Sequence, residues 1–442
     1  MKDKIKIGVV GLGGRGYGLL RHVMLTMDDV EVVAVCDLYE DRTERGAEAV
    51  EEFRGNVPFK TQNYKDILTM PEVDAVVCTT SWRDHFRIVI DTMKAGKYAA
   101  SEVGGAYSLE ECWELVRTYE ETGVPCMMME NCCYGRDELM VLNMVKKGIF
   151  GEVVHCSGGY RHDLREEVTH GKELRHYRLE NYLARNCENY PTHELGPIAR
   201  VLDINHGNRM VSLVAMASKS AGLQEFIRKD REPDHPLQKA QFAQGDVVTT
   251  MIKCARGETI TLVLDTSLPR PYSRAFHVQG TKGMFEEDNM SIFIDDSPES
   301  KDHFGWKKHW GNIEKYREEY DHPIWQEFMK FELGQSLGHG GMDWIEFRAF
   351  FDAVKNGTQT PIDVYDMATW AAVSVLSEQS IANGSTPVFF PDFTDGKWVT
   401  NPAHVEWEFK IENANLNTEV IEKLEAAMRA HKEAAMSVSE EN

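Results

Sequence analysis

The chain has 442 residues, 42% hydrophobic and 27% charged, the balance of a globular protein long enough for two domains. Its 49 Lys and Arg against 71 Asp and Glu leave a net charge of −22, which argues against nucleic acid or an anionic membrane as a partner. Strand-like residues begin by Lys4 and no apolar run reaches spanning length, so a soluble, cytoplasmic protein is expected, a trimmed export signal being the alternative.

The first third alternates apolar runs with helical patterns, the rhythm of a parallel sheet with crossover helices. Ile5 to Val10 reads as the first strand and Gly16 to Met27 as its helix; Val30 to Cys36 and Asp74 to Thr79 are further strands. His85 to Ala95 reads as a helix stopped by Gly96, and Tyr98 to Ser101 and Pro125 to Met129 as the last strands of this half. Gly135 to Lys147 is an amphipathic helix with Gly148 as its stop. Beyond it the pattern changes. Glu152 to Tyr160, Met210 to Ala217, Val247 to Cys254 and Thr259 to Asp265 alternate and are rich in Thr and Val, as in an antiparallel sheet. Met342 to Lys355 and Tyr365 to Ala382 read as helices, and Thr418 to Met436 as a charged helix with Asn417 at its N-cap.

The expected fold is α/β: an N-terminal Rossmann domain, then an α+β domain with a large, open, mainly antiparallel sheet. The division expected is 1–131, 132–416 with helices near 342–382 packing back on the first domain, and 417–442 as a C-terminal helix with an acidic tail. Nine scattered Cys, without a CxxC, read as reduced, buried thiols, and no metal site is expected.

Gly11-Leu12-Gly13-Gly14-Arg15-Gly16 follows an apolar strand and opens a helix, the context a dinucleotide site requires. Gly11 permits the tight turn, Gly13 lets a pyrophosphate approach backbone, and Gly16 lets helix and strand pack closely. Phosphate charge would rest on the helix N-terminus, assisted by Arg15. Asp37 ends the second strand, where an acid binds ribose hydroxyls and repels a 2′-phosphate, so the cofactor expected is NAD. Thr80, Trp82 and His85 leave the carboxyl end of a central strand, and Glu102 and Glu130-Asn131 end later ones, all bordering the same crevice. Downstream, Asn189-Tyr190-Pro191-Thr192-His193 sets a Tyr and a His three residues apart, two groups able to exchange protons near one point. No obvious acidic pair of the kind a direct glycosidase needs stands out.

Together these segments resemble the oxidoreductase family of glucose–fructose oxidoreductase and inositol dehydrogenase (Gfo/Idh/MocA). That family carries Glu-Lys-Pro where this chain has Glu102-Val103-Gly104, so its catalytic Lys is missing, and its Asp-x-x-x-His motif falls on Asn189 and His193. The departures resemble one branch, the NAD-dependent glycosidases of glycoside hydrolase family 109, typified by α-N-acetylgalactosaminidase. The matching segments are Glu130 to Arg136, Gly158 to Arg165, Tyr190 to His193, Gly338 to Asp343 and Pro387 to Phe393.

The resemblance implies hydrolysis through transient oxidation at sugar carbon 3, elimination, water addition and re-reduction. It makes Tyr190 and His193 the acid/base pair, with His193 on the carbon 3 hydroxyl and Tyr190 at carbon 2 or on a substrate hydroxyl. Tyr160, His162, Asp163, Arg165, Arg178 and His339 are candidate contacts to a small carbohydrate or glycoside. Asp163 and Arg165 could instead pair with each other, and Trp306, Trp310 and Trp325 could stack on sugar but suit core packing as well. The alternatives are a plain NAD-dependent sugar or polyol dehydrogenase and a ligand sensor without turnover. Apolar residues on both faces of Met210 to Met216 and Thr259 to Leu264 predict a homodimer or homotetramer.

Overall fold

The computed structural model describes residues 4–298, 300–302, 304–331, 337–404, 410 and 416–426. Six parallel strands form the first sheet: β1 (Ile5–Val10), β2 (Val30–Cys36), β3 (Phe59–Thr61), β4 (Ala75–Cys78), β5 (Tyr98–Glu102) and β6 (Cys126–Met129), in the order β3-β2-β1-β4-β5-β6. The strands read as near-continuous Val, Ile, Ala and Met because both faces are buried. Helices α1 (Gly14–His22), α2 (Glu40–Arg54), α3 (Tyr64–Leu68), α4 (Trp82–Lys94) and α5 (Leu109–Thr122) cover them. The strand order reverses between β1 and β4, and the crevice beyond their carboxyl ends is where open α/β sheets bind ligands.

Helix α1 begins two residues earlier than its pattern suggests and ends at His22; Val23 leaves helical geometry, and Met24–Thr26 is a separate 3-10 turn. The early start has a physical cause: Gly13 is the N-cap and no side chain caps the helix, so its first amides face the crevice.

After α6 (Arg136–Lys146) the second sheet runs β13-β12-β11-β7-β10-β9-β8-β14. Its strands are β7 (Val153–Arg161), β8 (Met210–Ala217), β9 (Val247–Cys254), β10 (Thr259–Asp265), β11 (His277–Gly280), β12 (Gly283–Glu286), β13 (Ser291–Ile294) and β14 (Val388–Phe389). It is open and mainly antiparallel, but β7 and β10 pair in parallel, making it mixed. One face packs on helices. Between β7 and β8 come α7 (Arg165–Thr169), α8 (Arg178–Ala184) and α9 (Thr192–Val201), followed by α10 (Gly222–Asp230), α11 (Glu314–Tyr320) and α12 (Pro323–Phe328).

Two late helices join the halves. α13 (Met342–Asn356) touches β1 and β6, and α14 (Val364–Ala382) lies between α5 of the first half and β8 of the second. α14 is apolar on every side because it is buried on every side, and a capping box between Asp363 and Asp366 starts it. Ser377 Oγ of α14 accepts from the Glu188 amide and Ser374 Oγ donates to the Glu188 carbonyl, fixing the segment that leads to Tyr190.

Asn417 does cap a helix. Its Oδ1 accepts from the Val420 amide, and the described residues 418–426 dock on the same chain beside Met27; the remainder of the expected helix and the acidic tail lie outside the described residues. All nine Cys are buried free thiols. No described helix is long and apolar enough to cross a membrane.

Candidate active site

The glycine loop folds as its spacing requires. Gly11 has φ of +99°, and a Cβ there would meet the Thr79 backbone at 2.7 Å; a Cβ on Gly16 would meet the Gly11 carbonyl oxygen at 2.2 Å. Gly14, by contrast, faces open space, and beside Gly13 only the Arg42 guanidinium comes close. The uncapped amides of α1 therefore have room for an anion. Asp37 is buried and oriented from within: its Oδ2 accepts from the Leu12 amide at 2.7 Å and its Oδ1 from the Tyr39 amide at 3.0 Å. A carboxylate held this way keeps lone pairs for ribose hydroxyls. These features fit a dinucleotide.

Arg15 is engaged by protein acids. Its Nε donates to Glu102 Oε1 at 3.0 Å, and Nη1 and Nη2 donate to Asp343 at 2.7 and 3.0 Å. Asn131 Nδ2 also donates to Asp343 at 2.7 Å, and His339 Nδ1 lies 2.8 Å from the same carboxylate. Burial alone would raise the Asp343 carboxyl, but His339 and Arg15 hold it well below the usual range. His339, a candidate for the sugar pocket, thus sits with the glycine loop. Asp343, which sequence reasoning gave no role, joins α13 to Arg15 of α1 and to Asn131 just past β6, and Arg15 carries the link on to Glu102 of β5.

At the neighbouring strand end, Thr80 Oγ1 lies 3.3 Å from Cys78 Sγ, and the His85 Nε2 proton is donated to the Thr80 carbonyl at 3.1 Å. Burial pushes His85 down to about 4, so it is a neutral brace for that turn. Trp82 is buried against Tyr177, with ring centroids 4.9 Å apart, and Tyr190, at 5.6 Å. Gly104 makes this possible: a Cβ there would meet Trp82 Cδ1 at 2.4 Å. The Val103-Gly104 pair that replaces the family's Lys-Pro therefore supplies a buried apolar residue and a seat for an indole.

The aromatic wall continues toward solvent. Tyr190 packs on Tyr160 at 4.4 Å, Tyr160 on His162 at 5.9 Å, and both Tyr160 and His162 meet the half-exposed Tyr272, at 6.3 and 5.2 Å. The Arg178 guanidinium covers Trp82 at 4.8 Å and Tyr190 at 5.0 Å, a cation–π stack anchored by Glu167, 2.7 Å from its Nε. Burial pushes the Tyr160 hydroxyl up to about 12, against the pull of Arg178, and burial with Tyr160 raises Tyr190 further. Both are neutral phenols near neutral pH. His162 Nδ1 is buried with no partner among the described residues.

His193 stands in the first turn of α9, edge-on to Tyr160 and Tyr190. Its Nε2 lies 3.5 Å from the Tyr190 hydroxyl and its Nδ1 2.7 Å from Glu130 Oε1. Glu130 is fully buried at the end of β6. Burial would raise its carboxyl, yet the facing His193, Thr192 and the Cys132 amide hold it below the ordinary range. An acid that can only accept fixes the proton on Nδ1 and leaves Nε2 as the basic nitrogen beside Tyr190. Sequence reasoning placed Glu130 at the crevice without this role; its place at a parallel strand's carboxyl end was the available signal. Cys132 is close enough to join Glu130 and His193 around an ion, but burial raises its thiol and it donates to Asn131 Oδ1.

Asp163 and Arg165 take up the internal option. They form a two-pronged pair at 2.8 and 2.6 Å, and the guanidinium lies over Phe226. Trp325 is core, its Nε1 donating to the Tyr134 carbonyl; Trp310 is half-exposed, and the Trp306 side chain lies outside the described residues.

Residues 5–130 match the family described as an oxidoreductase family with an NAD-binding Rossmann fold, and 134–400 match the glycosyl hydrolase 109 C-terminal domain. A glycosyl hydrolase family 109 protein of Stenotrophomonas maltophilia is 40% identical over 420 residues, covering 89% of this chain and 90% of its own. An α-N-acetylgalactosaminidase of Tannerella forsythia is 38% identical over 421 residues, covering 89% and 87%. Among solved structures, levoglucosan dehydrogenase in complex with NADH and levoglucosan superposes with a TM-score of 0.64 at 18% identity, covering 88% of this chain and 100% of its own.

Proposed function

The chain belongs to glycosyl hydrolase family 109 and is an NAD-dependent glycosidase, and from this premise we propose that it removes a terminal α-N-acetylgalactosamine or related sugar by transient oxidation at carbon 3. When bound, NAD supplies a reversible hydride acceptor, which turns oxidation, elimination of the aglycone, water addition and re-reduction into net hydrolysis. Gly11 to Gly16 and Asp37 would hold it.

The observation that carries the reading is the relay Glu130–His193–Tyr190, with distances of 2.7 and 3.5 Å, set into an aromatic wall that starts at Trp82. His193 Nε2 takes the carbon 3 hydroxyl proton, and Glu130 stabilises the resulting imidazolium. Tyr190, a neutral phenol under the Arg178 cation, donates to the substrate oxygen on which charge develops. This favours the substrate-hydroxyl role for Tyr190 over direct proton removal at carbon 2. Tyr160, His162 and Tyr272 would present ring faces and one free nitrogen to the sugar.

The α-N-acetylgalactosaminide preference rests on the name of the Tannerella forsythia relative. Purified protein should release aryl alcohol from an aryl α-N-acetylgalactosaminide without added NAD. Stoichiometric NADH with free sugar and no glycoside cleavage would instead mark a dehydrogenase. The face of the second sheet that no other described residues cover is the proposed contact for a homodimer or a tetramer of such dimers.

A further inference from the structure

Away from the crevice, the loop after α9, the first turn of α14 and the segment reaching His404 converge on a buried cluster. Asp366 is fully buried; its Oδ1 accepts from Asn205 Nδ2 at 3.1 Å, and its Oδ2 faces two imidazoles. His206 Nε2 lies 3.9 Å from that oxygen and His404 Nδ1 3.7 Å. Asp363 Oδ2 stands 4.0 Å from His206 Nε2, while its Oδ1 caps α14. The imidazole rings are 3.8 Å apart, and one ligand atom from each of His206, Asp366 and His404 falls within 4.8 Å of the others.

The hydrogen-bond inventory at this point is one-sided. His206 Nδ1 is 2.6 Å from the Pro402 carbonyl, which can only accept, so Nδ1 carries a proton and Nε2 is the nitrogen turned to the carboxylates of Asp363 and Asp366. Nε2 of His206 is buried with no hydrogen-bond partner among the described residues, and the 6%-exposed His404 turns Nδ1 toward Asp366. Separations of 3.7–4.0 Å are too long for hydrogen bonds. They approach the roughly 3.3 Å edge that metal–ligand bonds of about 2.0–2.1 Å give a tetrahedral ion.

We propose that His206, Asp366 and His404 bind one divalent transition metal ion of the zinc class, with Asp363 or water in the fourth position. Imidazole nitrogens with a carboxylate oxygen suit such an ion rather than calcium or magnesium. Its role is structural. It would fasten the 398–404 segment, already held by the Gly207 amide to the Trp398 carbonyl and by Asn401 Nδ2 to the Asn205 carbonyl, onto the helix that positions Glu188 and Tyr190. Nothing in the Cys spacing signalled it, because its ligands lie up to two hundred residues apart in the chain and include no Cys.

The test uses the full-length protein with its NAD, stripped of metal by a chelator and titrated with Co²⁺ and then Zn²⁺. One equivalent of Co²⁺ should bind with a tetrahedral visible spectrum, Zn²⁺ should displace it, and either ion should raise the melting temperature. His206→Gln and His404→Gln should each weaken Co²⁺ binding roughly tenfold or more, while Cys132→Ser, at the other geometric candidate, leaves it unchanged. Wild-type protein that binds no Co²⁺, or binding unaltered in both Gln variants, overturns the proposal. If the cluster carries only a shared proton, wild-type protein will show neither spectrum nor metal-dependent stabilisation.

Discussion

His193 is bonded through Nδ1 to Glu130, a fully buried carboxylate 63 residues earlier in the chain, and this bond decides which ring nitrogen is basic. The consequence can be measured. His193→Ala and Glu130→Gln should each lower kcat by about 10²- to 10⁴-fold, and Tyr190→Phe by about 10²-fold or more, the usual range for a lost proton-transfer group. All three should retain NAD, since none touches Gly11 to Gly16 or Asp37. Glycoside turnover with cofactor content, determined on the same preparations, checks this.

The seat of Trp82 on Gly104 gives a second prediction. Gly104→Ala places a carbon 2.4 Å from Trp82 Cδ1, so the indole must move and carry the Tyr190 and Arg178 stack with it. Turnover should fall at least about tenfold, with destabilisation of about 1–3 kcal/mol from overpacking. Gly18→Ala, in α1 with open space around it, should be neutral or slightly stabilising. Denaturant melts and kinetics on the two variants separate packing from composition.

Glu188 and Glu194 flank the Tyr190–His193 segment as a buried acid pair, all four oxygens lacking hydrogen-bond partners among the described residues. Burial raises Glu188 from 4.5 to about 8, and burial with the Glu188 charge raises Glu194 well above its ordinary value. Between 4.5 and about 8 the folded state therefore binds more protons than the unfolded chain. The stability this contributes is complete below 4.5 and is lost as pH rises through about 8. Glu194→Gln should remove part of that loss, raising the melting temperature above pH 8 by about 2–4 °C, roughly the effect of 1 kcal/mol in a mid-sized domain. An unchanged pH dependence in the variant would refute it.

The open sheet face supports an assembly prediction. Val214 and Met251 stand opposite each other in register, Met216 and Met251 are 63% and 57% exposed, and Phe389 on the edge strand is 72% exposed. Such a surface suits a second copy of the chain. Light scattering at micromolar concentration should give two or four chains per particle, and Met251→Asp should shift it toward monomer; a stable wild-type monomer contradicts it.

Strands β1, β2 and β8 to β10 were legible from sequence because their apolar runs or alternation carry enough residues to define an edge. Strands β11 to β13, of four residues each, and the two-residue β14 carry too short a pattern, and the parallel pairing of β7 with β10 joins segments a hundred residues apart. The site divides in the same way. The glycine loop, Asp37 and the Tyr190–His193 spacing are local and visible in the chain. Glu130 on His193, Asp343 on Arg15 and Trp82 on Gly104 are contacts made only by folding.

The most direct measurement is hydrolysis in deuterated water. Purified protein should cleave an aryl α-N-acetylgalactosaminide with no added NAD and no accumulating NADH, and the released sugar should carry deuterium on carbon 2. Cleavage that leaves carbon 2 without deuterium would mean the bond breaks by direct displacement, and the proposed roles of His193 and Tyr190 would fall with it.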